Sequence, residues 1–347
     1  MESNLNNKMN PENEIDLRDI FLSLWRQKLL IISITLIAAI MAGLFSVFLI
    51  SPVYHSKLNI IINMPEIYNT KYGDYTLPLT TNDQYINLIT SSDILVNTMK
   101  DMEYDSKDMT IEGLRDKITI SKPTTASGNV KQNSFEVKVA ASNPEEARRL
   151  AQTLYNNYIE FLDVMIADGA VEYYTNYYNV QLRTLKVELE SNQELLKKYE
   201  ALLADTPLTI NQKEAMNSLQ GQVNTRDFVI LENIINPNYT ELELDIIESK
   251  QTIYSLENNM NMYQTYLDEL DAMQLKIEEY YRTGVFTDLQ SNIVSVTKAN
   301  VYLPSEPVAP SSKTSPNIVK NVIIGSLLGG MASVLIALIK EFWLKKE

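Results

Sequence analysis

Two uncharged apolar runs restrict this chain more than any other feature of its 347 residues. Leu29–Ile50 and Val322–Ile339 contain no Asp, Glu, Lys or Arg. At 1.5 Å per residue the first covers about 30 Å, the thickness of a bilayer's hydrocarbon core, and the second is just long enough. The first run is longer than the apolar stretch of a cleaved secretory signal, and 28 residues precede it. The second is followed by Lys340, Lys345 and Lys346, an ending expected of a span rather than of a buried core helix. Transmembrane helices are therefore expected over 29–50 and 318–339.

Basic residues beside the spans set the expected orientation. Lys8, Arg18, Arg26 and Lys28 precede the first run and the three lysines follow the second, whereas the inner flanks offer only Lys57, Lys313 and Lys320. Both termini, 1–28 and 340–347, are expected in the cytoplasm of a multi-pass cell-membrane protein, with the large domain outside. The segment between the spans then carries the full net charge of −14, because the tails sum to zero. So acidic a body argues against a groove for nucleic acid, and against a surface of that body lying flat on anionic lipid, and points to neutral, cationic or protein partners. With no cysteine in the chain, disulfides, thiolate metal sites and cysteine nucleophiles are excluded together.

The segment 51–142 reads as the first part of a membrane-proximal α/β domain. Tyr54–Met64 has strand character, Glu66–Leu79 is rich in turn residues, and Asn82 and Ser92 look like caps of short helices ending near Met99. Lys117–Ser121 and Phe135–Ala141 alternate apolar and polar residues across a turn containing Gly128, which predicts a pair of strands. Ile293–Leu303 reads similarly, so 286–303 is expected to return a last strand to the same sheet.

Between these strands the pattern is helical, over 143–285. Asn143-Pro144-Glu145-Glu146 combines an N-cap, a proline in the first turn and carboxylates at the positive end of the helix dipole. A first helix near 60 residues would reach about 90 Å. Its later part carries Leu182, Leu185, Leu189, Asn192, Leu196, Tyr199 and Leu203 at steps of three and four. A second run, from Leu242 through Ile253, Tyr263 and Gln274 to Tyr281, keeps that spacing for twelve positions. The two seams predict an antiparallel helical hairpin, with a helical piece from Thr209 to Ile235 between Pro207 and Pro237.

Past the last strand, 304–317 is a proline-rich lead with Pro304, Pro307, Pro310 and Pro316. Within the spans, Gly325 and Gly329 stand four apart, as do Ala39 and Gly43. Each pair is a small-residue face on which a helix from the same chain or another copy could pack.

The sequence offers no catalytic chemistry. The single histidine, His55, has no second histidine or cysteine to share a metal, and the pairs Glu145/Glu146, Asp268/Glu269 and Glu278/Glu279 fall on helices as solvated faces. Neither a Walker-type phosphate loop nor a dinucleotide fingerprint occurs. No enzyme activity and no cofactor are expected. Tyr173, Tyr174, Tyr177 and Tyr178 read as a packing stripe, or as a stripe facing sugar or a partner.

Three blocks carry a resemblance. Glu14-Ile15-Asp16-Leu17-Arg18-Asp19-Ile20 with Leu24-Trp25-Arg26 before a span, Ser142 to Ala147 opening the long helix, and Pro304 to Pro316 leading to Gly325-Ser326-Leu327-Leu328-Gly329 resemble the polysaccharide co-polymerases, the Wzz-type chain length determinants. The likeness covers the ends and the base domain, and for the hairpin it extends to type only. It implies an α+β membrane protein forming a homo-oligomer, which works with a polysaccharide polymerase or export machinery on a lipid-linked glycan and sets how long its chains grow. Some members of that family act as adaptors for a separate cytoplasmic tyrosine kinase, for which the tail from Lys340 is short. An external receptor and a secretion adaptor are the competing classes; the first needs an output the tail does not encode, and the second needs only one span.

Overall fold

The computed structural model describes residues 17–105, 107–121, 134–212, 233–285 and 296–342. The described chain divides into two compact units. The first takes the residues up to Ile62, Ile86–Asn157 and those from Tyr302 onward; the second takes Asn63–Tyr85 and Tyr158–Val301.

The first unit opens with helix α1 (Leu17–Arg26) and the apolar helix α2 (Lys28–Phe48). Strand β1 (Tyr54–Ile62) follows, with Ser56, Leu58, Ile60 and Ile62 buried and Lys57 and Asn59 exposed, as alternation on a half-buried strand requires. β1 pairs antiparallel with β5 (Ser134–Ala141) so that Leu58 lies opposite Val137 and Ile60 opposite Phe135. β5 pairs antiparallel with β4 (Ile118–Ser121) on its other edge, and the sheet order is β4-β5-β1-β8, where β8 is Val301–Tyr302. The predicted turn around Gly128 lies outside the described residues. Helices α3 (Asn82–Asn87), α4 (Ser92–Asp101) and α5 (Ile111–Asp116) come before β4. Ile94, Leu95, Met99 and Leu114 bury the inner faces of α4 and α5.

The long helix α6 (Pro144–Asp205) starts where its cap residues dictate. Asn143 Oδ1 accepts the Glu146 backbone N–H at 2.8 Å, while the Glu146 carboxylate accepts from Ser142 Oγ at 2.6 Å and Tyr104 Oη at 2.9 Å. Ala147, Leu150, Ala151 and Leu154 then repeat at helical spacing and are fully buried.

In the second unit α6 continues beside α7 (Pro237–Thr283). Three cross-pairs fix the antiparallel sense: Glu200 with Lys250 at 3.1 Å, the rings of Tyr178 and Tyr263 at 4.9 Å, and Asp168 with Tyr281 at 3.3 Å. Asn236 caps α7, with Pro237 in its first turn, and Gly284 ends it in the left-handed conformation.

Several expectations change. The ends of the piece expected to be helical over 209–235 form a short antiparallel pair, β6 (Thr209–Asn211) with β7 (Asn233–Ile235); the β-branched Thr209, Ile210, Ile234 and Ile235 suit that conformation, and 213–232 lie outside the described residues. Of the strand expected over 293–303, Val296–Asn300 is a turn of helix, α8, and only Val301–Tyr302 is strand; 293–295 are not described. Glu66–Leu79, read as loop, contains the hairpin β2 (Ile67–Thr70) and β3 (Gly73–Thr76). The boundaries shift for a physical reason: this hairpin joins the core of the second unit through Tyr72 and Tyr75, whereas the first turns of α6 belong to the first unit.

Candidate functional site

Helix α9 (Ile318–Phe342) packs along α2, and these two are the described helices long and apolar enough to cross a membrane. Their packing inverts the pattern of a soluble core. Ser46 and Ser333 are fully buried, while Leu36, Ile40, Phe45, Leu327, Leu328 and Met331 stand exposed. A Cβ built on Gly325 would collide with the Ala42 methyl, and one on Gly329 with the Ala38 methyl, so the backbones approach as only small residues permit. Gly325 and Gly329 both lie against α2. On α2 the residues opposite those glycines are Ala38 and Ala42, one position before the expected Ala39 and Gly43; Gly43 faces the Val322 side chain instead. Spacing shows that two small residues share a face, but the partner decides which face is used.

Polar contacts clip both ends of the pair. Asn321 Nδ2 donates to Ser46 Oγ at 2.9 Å, and at the other end Gln27 Nε2 and Arg26 approach the Glu341 carboxylate at 3.3 and 3.6 Å. The proline-rich lead with Pro304, Pro307, Pro310 and Pro316 has little regular structure. It is tied to the start of β1, where Ser56 Oγ donates to the Val308 carbonyl at 3.0 Å and Val53 bridges Ser315.

The second unit holds an aromatic cluster. Tyr72 and Tyr75 of the β2–β3 hairpin enter a core with Tyr174 and Tyr178 of α6 and Leu270, Met273, Ile277 and Tyr280 of α7. The hairpin turn demands Gly73, whose φ of 127° lies in the region that favours glycine. The Tyr174 hydroxyl donates to the Gly73 carbonyl at 2.8 Å and that of Tyr178 to the Tyr72 carbonyl, so both rings are buried with their polar ends satisfied. A Cβ on Gly169 would meet the Tyr75 hydroxyl, which accounts for the glycine that interrupts α6. Burial, and then the Glu269 carboxylate that accepts from its hydroxyl at 2.9 Å, push Tyr72 well above its ordinary range. Lys71 pairs with Glu269 and, with the Tyr72 hydroxyl, holds that carboxyl low.

Of the tyrosine stripe, Tyr174 and Tyr178 pack, whereas Tyr173 and Tyr177 stack on each other at 6.4 Å and stay open to solvent. The α7 seam also changes near its end: Met273 and Tyr280 are buried in place of Gln274 and Tyr281, because the hairpin adds a third layer to the two helices. Gln274 instead lines a shallow groove of about 440 Å³ with Asp168, Glu172, Asn176, Asn179 and Asp271. Three carboxylates and three amides with no cation among the lining residues disfavour an anionic ligand.

The residues weighed for catalysis have structural neighbours. His55 lies in β1 opposite Ala140, Glu145 pairs with Arg148 at 2.9 Å, Glu146 belongs to the cap, Asp268 accepts from Gln264 at 3.0 Å, and Glu278 and Glu279 are exposed. Among the described residues no three His, Asp or Glu side chains are grouped to hold a metal.

Residues 13–102 match the family model described as Wzz, chain length determinant protein. Two curated proteins are similar over part of the chain. The capsular polysaccharide biosynthesis protein CpsC of Streptococcus pneumoniae is 28% identical over 144 residues, 41% of this chain and 59% of that protein. The probable capsular polysaccharide biosynthesis protein YwqC of Bacillus subtilis (strain 168) is 30% identical over 140 residues, 40% of this chain and 53% of that protein. The chain thus spans a little over half the length of these relatives. A solved full-length bacterial polysaccharide co-polymerase is 16% identical, with 96% of this chain and 99% of that one covered at a TM-score of 0.45. The Shigella flexneri lipopolysaccharide O-antigen chain-length regulator WzzBSF is 14% identical, with 75% and 99% covered at 0.29. The likeness to the Wzz chain length determinants is thus carried by the segment from the approach to α2 as far as α4.

Proposed function

We propose that this chain is a non-enzymatic polysaccharide co-polymerase that regulates the chain length, or the export, of a lipid-linked surface polysaccharide. In this reading α2 and α9 both cross the cell membrane with the termini in the cytoplasm, and the acidic body outside assembles with further copies beside the polymerase or export machinery. One observation carries the reading: the Wzz-type segment includes an apolar helix that packs, through glycines and alanines, on a second apolar helix more than 270 residues later in the chain. The outward faces of both helices are apolar, as contact with lipid requires.

The second unit offers the glycan two surfaces, the stacked Tyr173 and Tyr177 and the amide and carboxylate groove on α6 and α7. Chemistry that makes or breaks glycosidic bonds then resides in the partner enzyme, and this chain contributes a scaffold. Deleting the gene and separating the surface glycans by size on a gel tests the proposal. A shift in the length distribution, or loss of surface polymer, is expected, each reversed by the intact gene; an unchanged distribution would sink the reading.

A further inference from the structure

Helix α1 is built the wrong way round for a helix in water. Ser23 is buried to 7% exposure, while Phe21 and Trp25 stand 65% and 62% exposed, with Leu22 beside them. The two rings stack at 6.3 Å, and the Lys28 ammonium lies 4.9 Å from the centre of the Trp25 ring. Among the described residues nothing covers these three large apolar side chains on the outer face of a ten-residue helix.

The position of α1 identifies what covers that face. The helical run breaks at Gln27, where α1 gives way to α2, and Arg26 and Gln27 meet Glu341 at the end of α9. The aromatic face therefore sits at the common end of the two apolar helices, the level of a membrane surface in the proposed topology. Within the helix and its junction, residues 17–28, Arg18, Arg26 and Lys28 stand against Asp19, and the acids Glu12, Glu14 and Asp16 precede the helix. Apolar rings flanked by cations match the acyl boundary and the phosphates of an anionic leaflet.

We propose that α1 is an interfacial lipid-binding helix: Phe21, Leu22 and Trp25 enter the boundary between headgroups and acyl chains, and Arg18 and Lys28 engage the phosphates of anionic phospholipid. The inference rests on the membrane reading above and adds to it a lipid preference that neither span requires. Each basic residue close to an anionic leaflet strengthens binding to it about five-fold.

Replacing Trp343 with phenylalanine leaves Trp25 as the sole tryptophan of the full chain. That W343F protein is reconstituted into phosphatidylcholine vesicles containing brominated phosphatidylcholine or brominated phosphatidylglycerol, with bromine placed near the headgroup or near the acyl terminus. Flotation scores vesicle association and Trp25 emission scores quenching. The expected result is flotation with the vesicles, stronger quenching by shallow than by deep bromine, and a several-fold preference for phosphatidylglycerol that the added pair Arg18→Glu and Lys28→Glu removes. A protein that floats but is unquenched, is quenched most by deep bromine, or shows no headgroup preference overturns the role of α1 and leaves the two spans intact. A protein that does not float overturns the membrane reading and this inference with it.

Discussion

The pair α2 and α9 and the body of the hairpin solve opposite packing problems. In the pair, glycine, alanine and serine face inward and leucine, isoleucine and phenylalanine face out. In the body, tyrosines and aliphatic residues fill the interior, and acids and lysines cover the outside. In the proposed reading this difference follows from what lies outside each pair of helices. Where water is outside, burying large side chains stabilises the fold; where lipid is outside, burying them gains little, and close backbone approach and a few hydrogen bonds hold the helices together.

The contrast breaks most visibly in the aromatic core. Tyr178→Ala removes a ring only 3% exposed and the hydroxyl that holds the Tyr72 carbonyl, so a loss of about 3–5 kcal/mol is expected in denaturant unfolding of the purified protein. The neighbouring Tyr177→Ala, on a ring 42% exposed that loses its stacking on Tyr173, should cost about 1 kcal/mol. Equal losses would mean that the two rings share one environment. In the apolar pair the damaging change is an addition: Gly329→Val drives a side chain into Ala38 and is expected to cost about 1–3 kcal/mol, read as a lower melting temperature in detergent, while Ile40→Val, on an exposed side chain, is tolerated.

Alkaline pH sharpens the same comparison. Burial raises Tyr72, Tyr75, Tyr174 and Tyr178 above the ordinary value of 10.0, so these groups keep their protons in the folded state at pH values where the unfolded chain has lost them. Their contribution is complete below pH 10 and falls as the pH rises beyond it. Tyrosinate absorbance of the core should therefore appear together with loss of helical circular dichroism. Tyrosinate signal from all the tyrosines before any unfolding would contradict the packed core. The smallest expected effect is at the α6 cap, where Asn143→Ala should cost about 1 kcal/mol through the orphaned Glu146 N–H.

The features legible in the sequence were those whose cause is local. A long uncharged run, strict alternation in β1 and β5, and Asn143-Pro144 at a helix start each act within a few residues. The features missed depend on distant partners. The β2–β3 hairpin has four residues per strand and reads as turn, because what holds it is Tyr174, Tyr178 and Glu269, about 100 to 200 residues away. Ala38 and Ala42 could not be separated from Ala39 and Gly43 by spacing, since both pairs stand four apart and only α9 selects between them. The move from Gln274 and Tyr281 to Met273 and Tyr280 likewise follows from a third layer that heptad counting does not see. The polar groove on α6 and α7 left no signal beyond amides and acids on helical flanks, which solvent explains equally well.

The proposed function requires both apolar helices to cross the membrane, in opposite directions. A chain without cysteine allows a direct test, with single cysteines placed at Tyr254, exposed on α7, and at Lys340, near the end of α9, and a membrane-impermeant maleimide applied to cells. In intact cells stripped of their outer envelope layers, Tyr254→Cys is predicted to label and Lys340→Cys to stay unlabelled until the membrane is permeabilised. Labelling of Lys340→Cys in sealed cells, or protection of Tyr254→Cys, would contradict the proposed topology.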